Sequence, residues 1–234
     1  MSGTDATSTA RHTFTTLATA RVKQQLRALA EPSNTVKYAK AMRSVGASLG
    51  EVVADQLELR RPFALVCTPE DADSLVEGML ESLPREQARL VCYWTRRRKY
   101  ADGDVATVIQ RFVDPRLNEK KVETVVVAKA IIASGCIVRT HLEAFLATHT
   151  PRKVLIAAPV MVAGAEAALR GQFRASISNK FEFLTFALDA KPKEGLVRPG
   201  VGGDVEERLG LKNKSSRFAP TLVQRWVTPQ EHAA

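Results

Sequence analysis

Cysteine is scarce in this chain. Cys67, Cys92 and Cys136 lie far apart, form no CxxC pair and have no histidine at ligand spacing. That pattern argues against a zinc site and against a disulfide framework, and leaves three reduced thiols. Long apolar runs are missing too. Nothing approaches 18 consecutive apolar residues, so no segment is built to span a bilayer and no membrane partner is expected. Acids are in short supply, 25 against 34 lysines and arginines, which leaves a net charge of +9. Such a surplus suits anionic partners: nucleotides, diphosphate, nucleic acid or an acidic protein surface. It carries no information about fold. The first twenty residues hold one acid, Asp5, among many Ser, Thr and Ala. A flexible arm is expected over residues 1–20. Its composition also permits an organellar targeting peptide, so the expected location is the cytoplasm, with the mitochondrion as the alternative.

What remains is ample for a core. The chain has 234 residues, 45% of them hydrophobic, enough for one sizeable α/β domain. It is organised around residues 120–145. A β-rich apolar run, Val122 to Val127, enters the small-residue turn Ile132-Ala133-Ser134-Gly135-Cys136 and leaves as an amphipathic helix with Leu142, Phe145 and Leu146 on one face. The first turn of a helix offers unpaired N–H groups and the positive end of the macrodipole, where an anion fits. Ser134 adds a hydroxyl, and Gly135 lets the backbone curl closely around a phosphate. A plain helix cap with a tight bend would use the same residues.

Helices are expected over residues 17–30 and 35–59, a buried strand over 63–67, and a helix over 73–83 that stops before Pro84. Residues 89–94 alternate as a strand. Residues 95–116 read as a mobile hairpin with an Asp102-Gly103 turn. Its first half carries Arg96-Arg97-Arg98-Lys99, with Arg111, Lys120 and Lys121 nearby. Four adjacent cations repel one another and are tolerated in water or against counter-charge, so they are expected to form an exposed surface for an anionic macromolecule. A further strand spans 153–158, a helix 162–172 and a strand 181–188. Alternating strands and helices imply a largely parallel sheet with ligands at the carboxyl ends of its strands. The domain is expected over residues 21–211. A C-terminal extension follows over 212–234, whose Val223 and Trp226 pack back or dock a partner.

The order of these elements resembles the uracil phosphoribosyltransferase family along nearly its whole length. Ile131-Ile132-Ala133-Ser134-Gly135-Cys136-Ile137 is similar to that family's phosphoribosyl diphosphate motif, Asp-Pro-Met-Leu-Ala-Thr-Gly-Gly-Ser. Lys129 and Ala130 stand where the family has Asp-Pro, and Cys136 replaces its second Gly. Arg43 to Leu49 occupies the place of the family's Arg-x-x-Gly-x-x-Leu, and Lys153 to Pro159 resembles Val-Leu-Val-Ala-Ala-Pro. Glu70 replaces an Arg. The segment from Glu194 to Leu209 is similar to the family's uracil loop, with Leu196 in place of Tyr and one Gly inserted. The resemblance implies a type I phosphoribosyltransferase-like α/β fold, with a mostly parallel sheet flanked by helices and a mobile hairpin. It implies phosphate binding by Ala133, Ser134, Gly135 and Cys136, and base binding by Pro199, Gly200, Gly202 and Asp204.

Two functions follow as expectations. The resemblance implies an enzyme that joins uracil to phosphoribosyl diphosphate, with Mg2+, to give UMP. The departures favour a non-catalytic relative: a structural or binding subunit for RNA, a nucleotide or a protein partner in a larger protein or ribonucleoprotein assembly, with a homodimer possible and no cofactor or metal. Lys129-Ala130 removes the acid that grips the ribose, and Glu70 sets a carboxylate where diphosphate should lie. One such like-charge contact at ~4 Å costs about 4 kcal/mol at an effective dielectric near 20.

Overall fold

The strands of the central sheet are apolar along both faces because helices cover both. The computed structural model describes residues 11–31, 33–100, 103–119, 121–193, 196–212 and 218–227, with backbone alone at residues 99, 100, 103 and 104. In chain order the elements are β1 (Thr13–Phe14), α1 (Ala20–Ala30), α2 (Thr35–Ala54) and β2 (Phe63–Cys67). A helical segment follows, made of α3 (Pro69–Asp71), a π-helical turn (Ala72–Val76) and α4 (Glu77–Met79). Then come β3 (Ala88–Tyr100), β4 (Gly103–Val113), β5 (Thr124–Ala128), β6 (Ile131–Ile132) and α5 (Cys136–Leu146). The chain continues through β7 (Lys153–Val162), α6 (Ala165–Arg170), α7 (Ala175–Ser178), β8 (Phe181–Asp189), α8 (Val205–Arg208) and α9 (Thr221–Val227).

The sheet order is β1-β8-β7-β5-β2-β3-β4, with β6 beside β7. β3, β2, β5, β7 and β8 are parallel, and only β1 and β4 run antiparallel to their neighbours. Alternation along each strand divides the core. Phe63, Leu65 and Cys67 of β2 face one cluster with α1, α2 and α9, while Ala64 and Val66 face the other with α5 and α6. This is the expected α/β arrangement, a mostly parallel sheet flanked by helices. Among the described residues no helix is long and apolar enough to cross a membrane.

Several boundaries differ from expectation. The expected arm includes β1, which pairs with β8 at Thr13↔Leu188 and Phe14↔Ala187; residues 1–10 lie outside the described residues. The helix expected from residue 73 begins at Pro69, because Pro is well suited to a first helical position. Helix α2 stops at Ala54, short of residue 59. β7 continues past Pro159 to Val162, so the helix expected from residue 162 starts instead at Ala165, after left-handed Gly164. The expected Asp102-Gly103 turn falls partly outside the described residues. In the C-terminal extension, α9 packs back on the domain. Asp73 accepts from the backbone N–H groups of Thr221 and Leu222, Trp226 Nε1 donates to Asp114 at 2.8 Å, and Trp94 Nε1 donates to the Phe218 carbonyl at 2.8 Å.

Candidate functional site

A cleft of about 640 Å³ opens at the carboxyl ends of the parallel strands. The turn from β6 to α5 forms its floor. The apolar pair Ile131-Ile132 seats β6 beside β7, after which Gly135 takes a left-handed conformation, φ 73°, that admits few residues other than glycine. Arg139 N donates to the Gly135 carbonyl at 2.8 Å as an early turn bond of α5, and Ser134 Oγ accepts from Cys136 N at 3.4 Å. Ala133, Ser134, Gly135 and Cys136 all line the cleft, as do Ile137 and Val138 of the first helical turn. The backbone donors and positive dipole end of an eleven-residue helix therefore face this space.

Opposite that turn sits a compact ionic cluster. Lys129 leaves the end of β5, and its Nζ lies 3.1 Å from Glu70 Oε1 and 2.7 Å from Asp71 Oδ2. Asp71 also accepts from Thr68 Oγ1 at 2.8 Å and from Ala130 N at 3.3 Å. Burial disfavours charge on Lys129, yet its two carboxylates outweigh burial and hold the ammonium above the usual lysine range. Burial opposes ionisation of Glu70, but Lys129 and local hydrogen bonds leave its carboxyl below the ordinary value. Burial dominates at Asp71 and pushes it upward against the pull of Lys129. Lys129 thus offsets part of the negative charge expected at Glu70, with one ammonium shared between the carboxyls of Glu70 and Asp71.

The hairpin forms the upper wall. Thr95, Arg96 and Arg97 line the cleft, whereas Arg98 is exposed outside it and the side chain of Lys99 lies outside the described residues. The expected separation between a cationic surface and a small-ligand pocket does not hold for Arg96 and Arg97, which stand at the mouth of the cleft. Two contacts tie the hairpin to α5: Thr95 Oγ1 and His141 Nε2 share a 2.9 Å hydrogen bond, and Thr140 Oγ1 donates to the Ala106 carbonyl at 3.3 Å. Burial, helped by the nearby Lys129 charge, pushes His141 down to about 3, so its ring is neutral at physiological pH.

The loop after β8 closes the remaining side. Leu196, Val197, Gly203, Asp204, Val205 and Glu206 line the cleft. Of the four expected base contacts only Asp204 is among the lining residues. Its Oδ1 accepts from Glu207 N at 3.0 Å and caps α8. Gly200 N donates to Asp189 Oδ2 at 2.8 Å, and a Cβ on Gly202 would stand 1.9 Å from the Leu29 carbonyl oxygen. Those glycines, with Pro199, shape the loop against the domain rather than lining the cleft. Sequence reasoning missed Asp71, Thr95, Thr140 and His141. None stands in a recognisable motif, and their roles come from long-range contacts.

Comparison with known proteins adds to the picture of the fold. The chain is similar to the AQ2163 protein from Aquifex aeolicus, with a TM-score of 0.68 and 17% identity, over 83% of this chain and 96% of that one. It is more loosely similar to adenine phosphoribosyltransferase from Leishmania donovani, with a TM-score of 0.42 and 12% identity over 64% and 68% of the two chains. A hypothetical protein from Neisseria gonorrhoeae with bound ppGpp gives a TM-score of 0.41 and 12% identity over 74% and 91%. No family model and no curated protein matches the chain.

Proposed function

We propose that this protein is a divergent phosphoribosyltransferase-like binding subunit, one that holds a phosphate-bearing ligand of the nucleotide class in its cleft without transferring a ribosyl group. The observation that carries this reading is the ammonium of Lys129, fixed between Glu70 and Asp71 at the end of β5. Transfer from phosphoribosyl diphosphate leaves a cationic ribose and expels diphosphate, so it needs acids on the ribose hydroxyls and cations on the leaving group. An ammonium offers donors only, and Ala130 offers no polar side chain. Glu70 supplies a carboxylate where the resemblance implies a cation.

The anion-binding half of the cleft is intact by the same reasoning. The first turn of α5 favours a phosphate, and Arg96 and Arg97 stand across from it. Because Thr95 and Ala106 tie the hairpin to α5, these arginines are placed before a ligand arrives, which lowers the ordering cost of binding. The alternative is an active uracil phosphoribosyltransferase, favoured by the approach of Leu196, Val197 and Asp204 to the same cleft. The Mg2+ implied in that case does not fit the protein's own donors at this corner, since Glu70 and Asp71 already accept from Lys129 and its ammonium would face the cation.

Calorimetric titration of UMP and of phosphoribosyl diphosphate, with and without Mg2+, tests the reading. Wild type is expected to bind at least one of them without requiring Mg2+. Ser134→Trp, which fills the space before the first turn of α5, is expected to weaken binding tenfold or more, about 1.4 kcal/mol. A wild-type protein that binds neither ligand would overturn the proposal.

A further inference from the structure

We propose that the outward face of the β3–β4 hairpin is a docking surface for an acidic, aliphatic segment of a partner protein. In an antiparallel ribbon, directly paired residues share a face. The register Arg96↔Thr107 and Arg98↔Val105 therefore sets two arginines beside Thr107 and Val105. The opposite face, bearing Thr95 and Ala106, is turned to α5 through the contacts with His141 and Thr140. A register shift between Trp94 and Thr95 leaves Ile109 as an extra residue on β4. Val105 is 48% exposed and Ile109 43%, large values for aliphatic side chains on a folded ribbon.

Arginine beside exposed aliphatic surface is the composition of a protein interface, where guanidinium groups and apolar area are used together. Residues 95–111 carry five cations and two acids, so the complementary occupant is acidic. Single-stranded RNA is also acidic, but its bases are held chiefly by stacking on exposed aromatic rings. Among the hairpin aromatics whose side chains are described none is exposed: Tyr93 and Trp94 are buried and Phe112 packs on the core, while the side chain of Tyr100 lies outside the described residues. Val105 and Ile109 add nothing to phosphate binding and would match an aliphatic peptide. The observations thus favour a protein segment over RNA. Arg96 also lines the cleft, but Arg98, Val105 and Ile109 do not, so substitutions at those three positions test this surface separately from the cleft ligand.

The test uses the full-length protein and a fluorescently labelled peptide alternating glutamate with leucine. Its lysine-leucine and glutamate-serine counterparts and a labelled oligouridylate serve as comparisons. Wild type is expected to prefer the glutamate-leucine peptide over all three. Arg98→Glu should weaken that binding about tenfold at low salt and less at high salt, because exposed charges are screened. The double variant Val105→Ser, Ile109→Ser should weaken it several-fold at every salt concentration. All three positions are exposed, and unchanged thermal unfolding will show that the variants fold. No binding of the glutamate-leucine peptide would overturn the proposal, as would equal binding of the glutamate-serine peptide. Tighter oligouridylate binding that is indifferent to the Val105 and Ile109 substitutions would assign the face to RNA instead.

Discussion

Lys129→Met should lower the thermal midpoint on the order of 10 °C, although methionine fits the same volume. The substitution leaves Glu70 and Asp71 side by side, nearly buried, without the cation that holds them. Removing one member of a buried ion pair costs about 3–5 kcal/mol, because the remaining charge is neither solvated nor compensated. In a domain of this size that corresponds to roughly 2–4 °C per kcal/mol. The pH dependence has a definite sign. Glu70 is held below its ordinary value, so its contribution is present above the unfolded carboxyl pKa and is lost as pH falls through the folded one. Lys129 is held above its ordinary value, so its contribution is full below the unfolded lysine pKa, about 10.4, and is lost only as pH rises through the higher folded value. The gap between wild type and variant should be widest near neutral pH and shrink in acid, where the carboxyls protonate. Thermal unfolding at a series of pH values measures it; a gap that grows in acid would contradict the account.

Gly46→Ala should cost about 2 kcal/mol, far more than a helix-favouring methyl ordinarily would. Gly46 and Gly50 lie one turn apart on α2, against the segment that carries the π-helical turn and α4. A Cβ on Gly46 would stand 2.3 Å from the Leu75 carbonyl oxygen, and one on Gly50 2.4 Å from that of Met79. Gly78 answers from the other side, where an added Cβ would stand 2.1 Å from the Arg43 carbonyl oxygen. These obstacles are backbone and cannot swing away, so the helices must separate and open the core between Val45, Leu49, Leu75 and Met79. Gly171→Ala is the control: a Cβ there meets nothing closer than 3.5 Å, and its backbone φ of −64° suits alanine. It should leave stability unchanged or raise it by about 0.5 kcal/mol. Urea unfolding of the two variants against wild type reads the difference, and equal midpoints would sink the close-packing argument.

The strand, turn and helix around Gly135 were legible in the sequence because each rests on a local signal: an apolar β-branched run, a glycine and an amphipathic repeat. β7 was less legible. Pro159 looks like a strand end, yet it falls between Ala157, the last partner of β5, and Val160, the first partner of β6, where no ladder donor is required on that side. The π-helical turn and the docking of α9 depend on contacts far apart in sequence, such as Asp73 capping Thr221 and Leu222.

The site was legible in parts, and its central feature lay in their combination. Glu70 and Lys129 each look like a departure that spoils a ligand contact. Considered together they exchange the signs of two groups that the resemblance brings to one ligand, and opposite charges meeting across a cleft can pair with each other. That reciprocal change was the available signal. Asp71, which completes the cluster, carried none, since an acid after Pro69-Glu70 reads as an ordinary first-turn residue.

The most direct test of the central claim is a transfer assay with labelled uracil, phosphoribosyl diphosphate and Mg2+, run on the preparation whose ligand binding is measured by calorimetry. The account predicts binding of UMP or phosphoribosyl diphosphate with no UMP formed above the uncatalysed rate. Sustained UMP formation by wild type, abolished by Ser134→Trp, would contradict it.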